Sequence, residues 1–123
     1  MTVSEAIAAV DAVKPNAFTN ADKTRWVNEA EGKVALEVLL TPLDEVPVYA
    51  WPDDADGELL APAPFDKLYP AYLAAMIDFA NGEYDRYQAT AGMFNSHFAD
   101  FMRWYALNVR PADRGGPEVG GRS

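Results

Sequence analysis

Tyr84-Asp-Arg-Tyr-Gln-Ala-Thr-Ala-Gly-Met-Phe-Asn-Ser-His-Phe-Ala-Asp-Phe-Met-Arg-Trp-Tyr105 places Tyr84, Tyr87, Ala91, Phe94, Phe98, Phe101 and Tyr105 at alternating steps of three and four residues. That period is one face of an α-helix, sustained over three heptads and about 33 Å at 1.5 Å per residue. Met102 and Trp104 widen the face. Just upstream, Asn81-Gly82 is a helix-ending pair that tolerates positive φ, and Glu83 suits the positive N-terminal end of the next helix. Before that pair, a helix from about Asp66 carries the stripe Tyr69, Leu73, Met76 and Ala80, with Tyr72, Ile77 and Phe79 beside it. Pro70 falls in its first turn, where backbone N–H groups have no intrahelical acceptor. Two helices joined by so short a turn form an antiparallel αα-hairpin. Residues 65–107 hold 11 of the 15 aromatic residues.

Two further helices precede the hairpin. Thr2-Val-Ser-Glu5 has the spacing of a capping box, and the Ala-rich run behind it, with Ile7 and Val10 on one face, should stop before Pro15. Thr19 or Asn20 caps a second helix with Asp22 in its first turn. Val27, Ala30, Val34 and Val38 form its apolar face, Trp26 sits beside it, and it should reach about Leu40 before Pro42. Gly32 either weakens the middle of this helix or allows a close approach there. The fold class is therefore mainly α, a helical bundle built on a long antiparallel hairpin. Residues 1–107 form the helical domain.

The chain between the second and third helices differs in kind. Residues 42–64 contain five of the nine prolines, no basic residue, and six acids: Asp44, Glu45, Asp53, Asp54, Asp56 and Glu58. Val46-Pro-Val-Tyr-Ala-Trp51 and Glu58-Leu-Leu-Ala61 around Asp56-Gly57 leave a short β-hairpin open, with Pro47 and Pro52 restricting it to edge-like pairing. Residues 108–123 are rich in Gly and Pro and read as a flexible arm, with Arg110, Arg114 and Arg122 outweighing Asp113 and Glu118. The whole chain of 123 residues carries 10 Lys and Arg against 19 Asp and Glu, a formal charge of −9 that repels nucleic acid and anionic membranes. It contains no cysteine and one histidine, which excludes disulfides, thiol chemistry and Cys- or His-rich metal sites. No apolar run approaches the length of a membrane span, and the N-terminal stretch carries Glu5 and Asp11, unlike a secretory signal. These features are those of a soluble protein made in the cytoplasm.

Chemistry-bearing patterns are weak. His97 sits at the edge of the aromatic seam and reads as a surface or partly packed helix residue. No elbow motif surrounds Ser4, Ser96 or Ser123. Asp78, Glu83 and Asp85 cluster near the hairpin turn and read as helix-end charges with i,i+3 pairing to Arg86. The run Asp53-Asp-Ala-Asp-Gly-Glu58 lacks the spacing of a calcium loop, and no phosphate-binding glycine motif occurs. The chain reads as a non-enzyme with no cofactor. The seam residues Tyr84, Tyr87, Phe94, Phe98, Phe101, Trp104 and Tyr105 are read as core or subunit interface, because tyrosine suits surfaces that are apolar at one end and wet at the other.

Several stretches together carry a family resemblance: Asp22-Lys-Thr-Arg-Trp-Val27, Pro62-Ala-Pro-Phe-Asp-Lys-Leu-Tyr69, Ile77-Asp-Phe-Ala-Asn-Gly-Glu-Tyr-Asp-Arg-Tyr87, and Met93-Phe-Asn95 with Phe101 and Trp104-Tyr105. Over roughly residues 3–107 the chain resembles the head–tail connector (adaptor) proteins of tailed bacteriophages, small helical proteins encoded beside portal and capsid genes. The resemblance implies a homo-oligomeric ring of about twelve copies on the portal protein, in the capsid–tail neck of the virion. DNA passes through the lumen of such a ring, and a tail-completion or stopper protein docks beyond it. It also implies that the C-terminal arm, with Arg110, Pro111, Arg114, Pro117 and Arg122, reaches the portal. The arm and the acidic loop depart from the family in sequence, and the loop also departs in length. Asp44, Glu45, Asp53, Asp54, Asp56 and Glu58 are expected to face the lumen or solvent, where negative charge keeps DNA from sticking. A second reading is a small acidic binding module or DNA mimic that occupies a host protein. Against it, the acids gather in one loop instead of spreading along a helix face.

Overall fold

The computed structural model describes residues 1–109. Four helices carry the described residues: α1 (Val3–Val13), α2 (Asn20–Lys33), α3 (Leu68–Ala80) and α4 (Tyr84–Asn108). No strand forms among the described residues. Arg110, Pro111, Arg114, Pro117 and Arg122 of the expected arm lie outside them.

Local chemistry sets the helix starts. The Thr2 hydroxyl accepts from the Glu5 N–H at 3.1 Å, and the Glu5 carboxylate accepts from the Thr2 N–H at 2.8 Å, so the capping box forms in full. Thr19 caps α2 by accepting from the Asp22 N–H at 3.0 Å. The expected run to Leu40 changes geometry on the way. Residues Val34–Val38 form a π-turn, in which the Leu39 N–H donates to the Val34 carbonyl, five residues back. The wider turn keeps Val34, Ala35 and Val38 all buried. Leu40 then leaves the helix at φ 55, a left-handed conformation unusual for a branched side chain. A Cβ built on Gly32 would meet nothing within 4 Å, so this glycine marks no close approach.

The core combines Val3, Ile7 and Val10 of α1, Trp26, Val27 and Ala30 of α2, Leu68, Tyr69, Leu73 and Ile77 of α3, and Phe94, Phe98 and Phe101 of α4. Trp26 packs edge-to-face on Phe18, with ring centroids 5.1 Å apart. Helix α3 is preceded by a 3-10 turn, Phe65–Lys67. Its buried row is Tyr69, Leu73 and Ile77, and it does not continue to Ala80, which is exposed. Ala80 is the last helical residue before the turn, beyond the elements that would cover it. Gly82 adopts φ 72 there, and its N–H donates to the Phe79 carbonyl. Two ion pairs tie α1 to its neighbours. Lys14 reaches Asp78 of α3 at 2.8 Å, and the buried Lys23 of α2 reaches Asp11 at 2.8 Å.

Residues 42–64 do not form the β-hairpin left open by the sequence. They hold a 3-10 turn at Leu43–Glu45 and a series of turns, and their one ladder-like contact is an isolated bridge between Thr2 and Glu58. The physical reason lies in Asn28. Its side-chain amide donates to the Tyr49 carbonyl and accepts from the Tyr49 N–H, both at 2.9 Å, taking the two groups a partner strand would need. Pro47 and Pro52 have no N–H to offer on either side. The returning segment is stitched to the start of α1 instead: the Val3, Ser4 and Leu59 N–H groups donate to the carbonyls of Gly57, Ala55 and Met1. Gly57 is required here, since a Cβ would lie 2.9 Å from the Tyr49 ring.

Candidate functional site

The aromatic seam divides into a buried centre and exposed ends. Phe94, Phe98 and Phe101 are buried, and Tyr87 and Tyr105 are half-buried. Tyr84 is 59% exposed and Trp104 is 39% exposed. At the hairpin tip Phe79, also largely exposed, packs its ring against Tyr84 and Tyr87 at 5.7 and 5.2 Å. At the other end Phe65 covers Phe101 and Trp104 at 5.4 and 5.5 Å, and beyond it Leu107 is 69% exposed. The inequality of the two helices accounts for the second of these ends. Helix α4 has 25 residues against 13 in α3, so its last turns outrun their cover.

Glu31, absent from the sequence-based candidates, is the organising polar residue. It is fully buried in α2 and its carboxylate accepts from three neutral donors: the Tyr69 hydroxyl, the Tyr49 hydroxyl at 2.9 Å and the Leu60 N–H at 2.9 Å. Burial pushes its carboxyl above the usual range, against the lowering effect of these hydrogen bonds. Burial and the neighbouring Glu31 charge push the Tyr69 and Tyr49 hydroxyls up as well. Tyr69 also accepts from the Ala61 N–H at 2.9 Å, so Glu31 and Tyr69 together hold the end of the acidic loop. The sequence did contain a signal. Glu31 lies four residues after Val27 and three before Val34, inside the apolar stripe.

Asp44, Glu45, Asp53, Asp54, Asp56 and Glu58 are all exposed. Two of them have local partners: Asp54 accepts from the Ala50 N–H at 2.8 Å, and Glu58 lies 2.6 Å from the Met1 amino group. No group of three acidic or histidine side chains has the geometry of a metal site among the described residues. The carboxylates near the hairpin turn separate in role. Glu83 pairs with Arg86 at 3.4 Å, as the spacing implied, and Asp85 is exposed. Asp78 is not a helix-end surface charge. It is buried, and it is held by Lys14 and by the Thr90 hydroxyl at 3.1 Å. Ala75, three residues earlier on the same face of α3, is buried with it.

His97 lies partly exposed on the edge of an apolar groove between α1, α3 and α4, with a volume of about 390 Å³. Its walls include Val13, Pro70, Ala71, Ala74 and Met93, with Lys67 at the rim. No described helix is long and apolar enough to cross a membrane. Comparison with protein families, curated proteins and solved structures returns no match.

Proposed function

We propose that this chain is a structural virion protein, a head–tail connector that assembles as a ring on a portal and bridges capsid to tail around passing DNA. The motif resemblance over residues 3–107 motivates the reading, and one structural observation carries it. The aromatic seam runs past its intramolecular cover at both ends, leaving Phe79 and Tyr84 at one tip and Trp104 and Leu107 at the other. Apolar ends on a rigid rod suit contacts with neighbouring subunits and with components stacked above and below. The exposed acids of residues 44–58 suit a surface that DNA must pass without adhering. Their confinement to a loop disfavours the DNA-mimic reading.

The partners in this reading are further copies of the chain, the portal protein and a tail-completion protein, and the location is the virion neck. Electron microscopy of the purified protein mixed with the portal protein encoded beside it tests the proposal. A ring of added density at the portal is the expected result. Protein that stays monomeric and leaves portal rings bare would sink it. Truncation after Val109 separately tests the arm: the bundle should remain folded while portal attachment weakens.

A further inference from the structure

Two exposed apolar features of this molecule carry opposite charges at their edges. The first is a ridge formed where α2 and its π-turn give way to the loop. Leu40, Leu43 and Val48 are 62%, 77% and 76% exposed there, and Asp44 and Glu45 extend the 3-10 turn beside them. The second is the groove of about 390 Å³ between α1, α3 and α4, apolar along its walls, with the cationic Lys67 at its edge. The ridge is apolar and anionic, and the groove is apolar with one unpaired cation, Lys67, at its rim among the described residues.

The groove and the π-turn that precedes the ridge lie on opposite flanks of α4. Met93, in the groove wall, and Asn95 are two residues apart and so diverge by about 200° around the helix axis. On the Asn95 side stands Lys33, its ammonium 5.3 Å from the centre of the Phe98 ring, immediately before the π-turn that leads to the ridge. A chain with complementary features on opposite flanks meets its copies head-to-tail, each contact using a different patch on each partner.

We propose that the Leu40–Val48 ridge of one copy docks in the α1/α3/α4 groove of the next, with Asp44 and Glu45 facing Lys67. This inference rests on the reading of the chain as a ring subunit and names the contact between neighbours. The absence of cysteine permits a direct test in the full-length chain. Mixing Leu43→Cys with Met93→Cys under oxidising conditions should give cross-linked dimers, and neither variant alone should. Both substitutions in one chain should give a ladder of dimers, trimers and higher species. In sedimentation, Leu43→Asp should weaken self-association by about tenfold or more, since a leucine leaving an apolar pocket forfeits at least that factor. Leu43 is so exposed that this variant keeps its fold. Cross-linking of Leu43→Cys with itself, or self-association unchanged by Leu43→Asp, would overturn the proposal. If copies assemble at parent strength without any Leu43–Met93 cross-link, the contact is wrong and the ring reading stands. A chain that is monomeric in solution and leaves portal rings bare loses both.

Discussion

Tyr69 places its hydroxyl between the Glu31 carboxylate and the Ala61 N–H, donating to the first and accepting from the second. One phenol thereby joins α2, α3 and the end of the acidic loop. Tyr69→Phe removes this link and leaves a buried N–H and a buried carboxylate each short of a partner. It should cost about 1–3 kcal/mol, read by chemical denaturation, and should raise hydrogen exchange at Ala61 before it affects the helices.

Glu31 also sets a pH dependence. Its folded pKa is raised above the ordinary 4.5 by burial. Between 4.5 and that raised value the folded chain keeps a proton that the unfolded chain has released, so this group's contribution to stability falls as pH rises through the window. Asp11 acts oppositely. Desolvation works against it, but hydrogen bonds from Lys23 and Asn16 hold its carboxyl below the usual range, so its contribution is lost as pH falls through that lowered value. The joint contribution of these two groups should therefore be greatest in mild acid. Denaturation at a series of pH values should show Glu31→Gln with a flatter decline above 4.5 than the parent, and equal slopes would refute the assignment.

Lys14 and Asp78 form the ion pair that anchors α1 to α3, with the Asp78 carboxylate almost wholly buried. Lys14→Met should destabilise by about 1.5–3 kcal/mol, the usual worth of a hydrogen bond to a charged group. Asp78→Asn in the same background should recover part of the loss, because it removes the stranded charge. A double-mutant cycle measures this coupling.

The centre and the ends of the seam should respond differently to truncation. Phe98→Ala should cost about 3–5 kcal/mol in the isolated chain, as expected for a buried phenylalanine. Leu107→Ser, at a largely exposed position, should stay within about 0.5 kcal/mol. Similar losses at both sites in thermal and denaturant melts would contradict the division into core and uncovered end.

The elements most legible in the sequence were those fixed by local chemistry. Thr2-Val-Ser-Glu5 and Thr19 cap their helices by interactions within three residues, and Phe94, Phe98 and Phe101 follow a period that only a helix satisfies. The less legible ones depend on contacts between distant residues. Asn28 and Tyr49 are 21 residues apart, and Glu31 and Tyr69 are 38 apart. No local pattern announces that a side-chain amide will replace a β-strand, and so the hairpin suggested by Val46–Trp51 does not form. The π-turn escaped for a similar reason, since Val34, Ala35 and Val38 fit an α-helix nearly as well. The groove and the ridge are products of assembly: Val13, Ala74 and Met93 are unremarkable until three helices bring them together.

The anchoring of the acidic loop has an electrolyte consequence. Six carboxylates share residues 42–64 with no basic side chain among them, and Asn28, Glu31 and Tyr69 pin the backbone that bears them. The charges cannot relax by spreading apart, and beyond the Met1 amino group beside Glu58 the relief must come from the surrounding ions. Raising ionic strength from 0.01 to 0.15 M shortens the Debye length from about 30 to about 8 Å. The melting temperature should climb over that range, steeply at first, and the loop should gain protection from exchange before the rest of the bundle does.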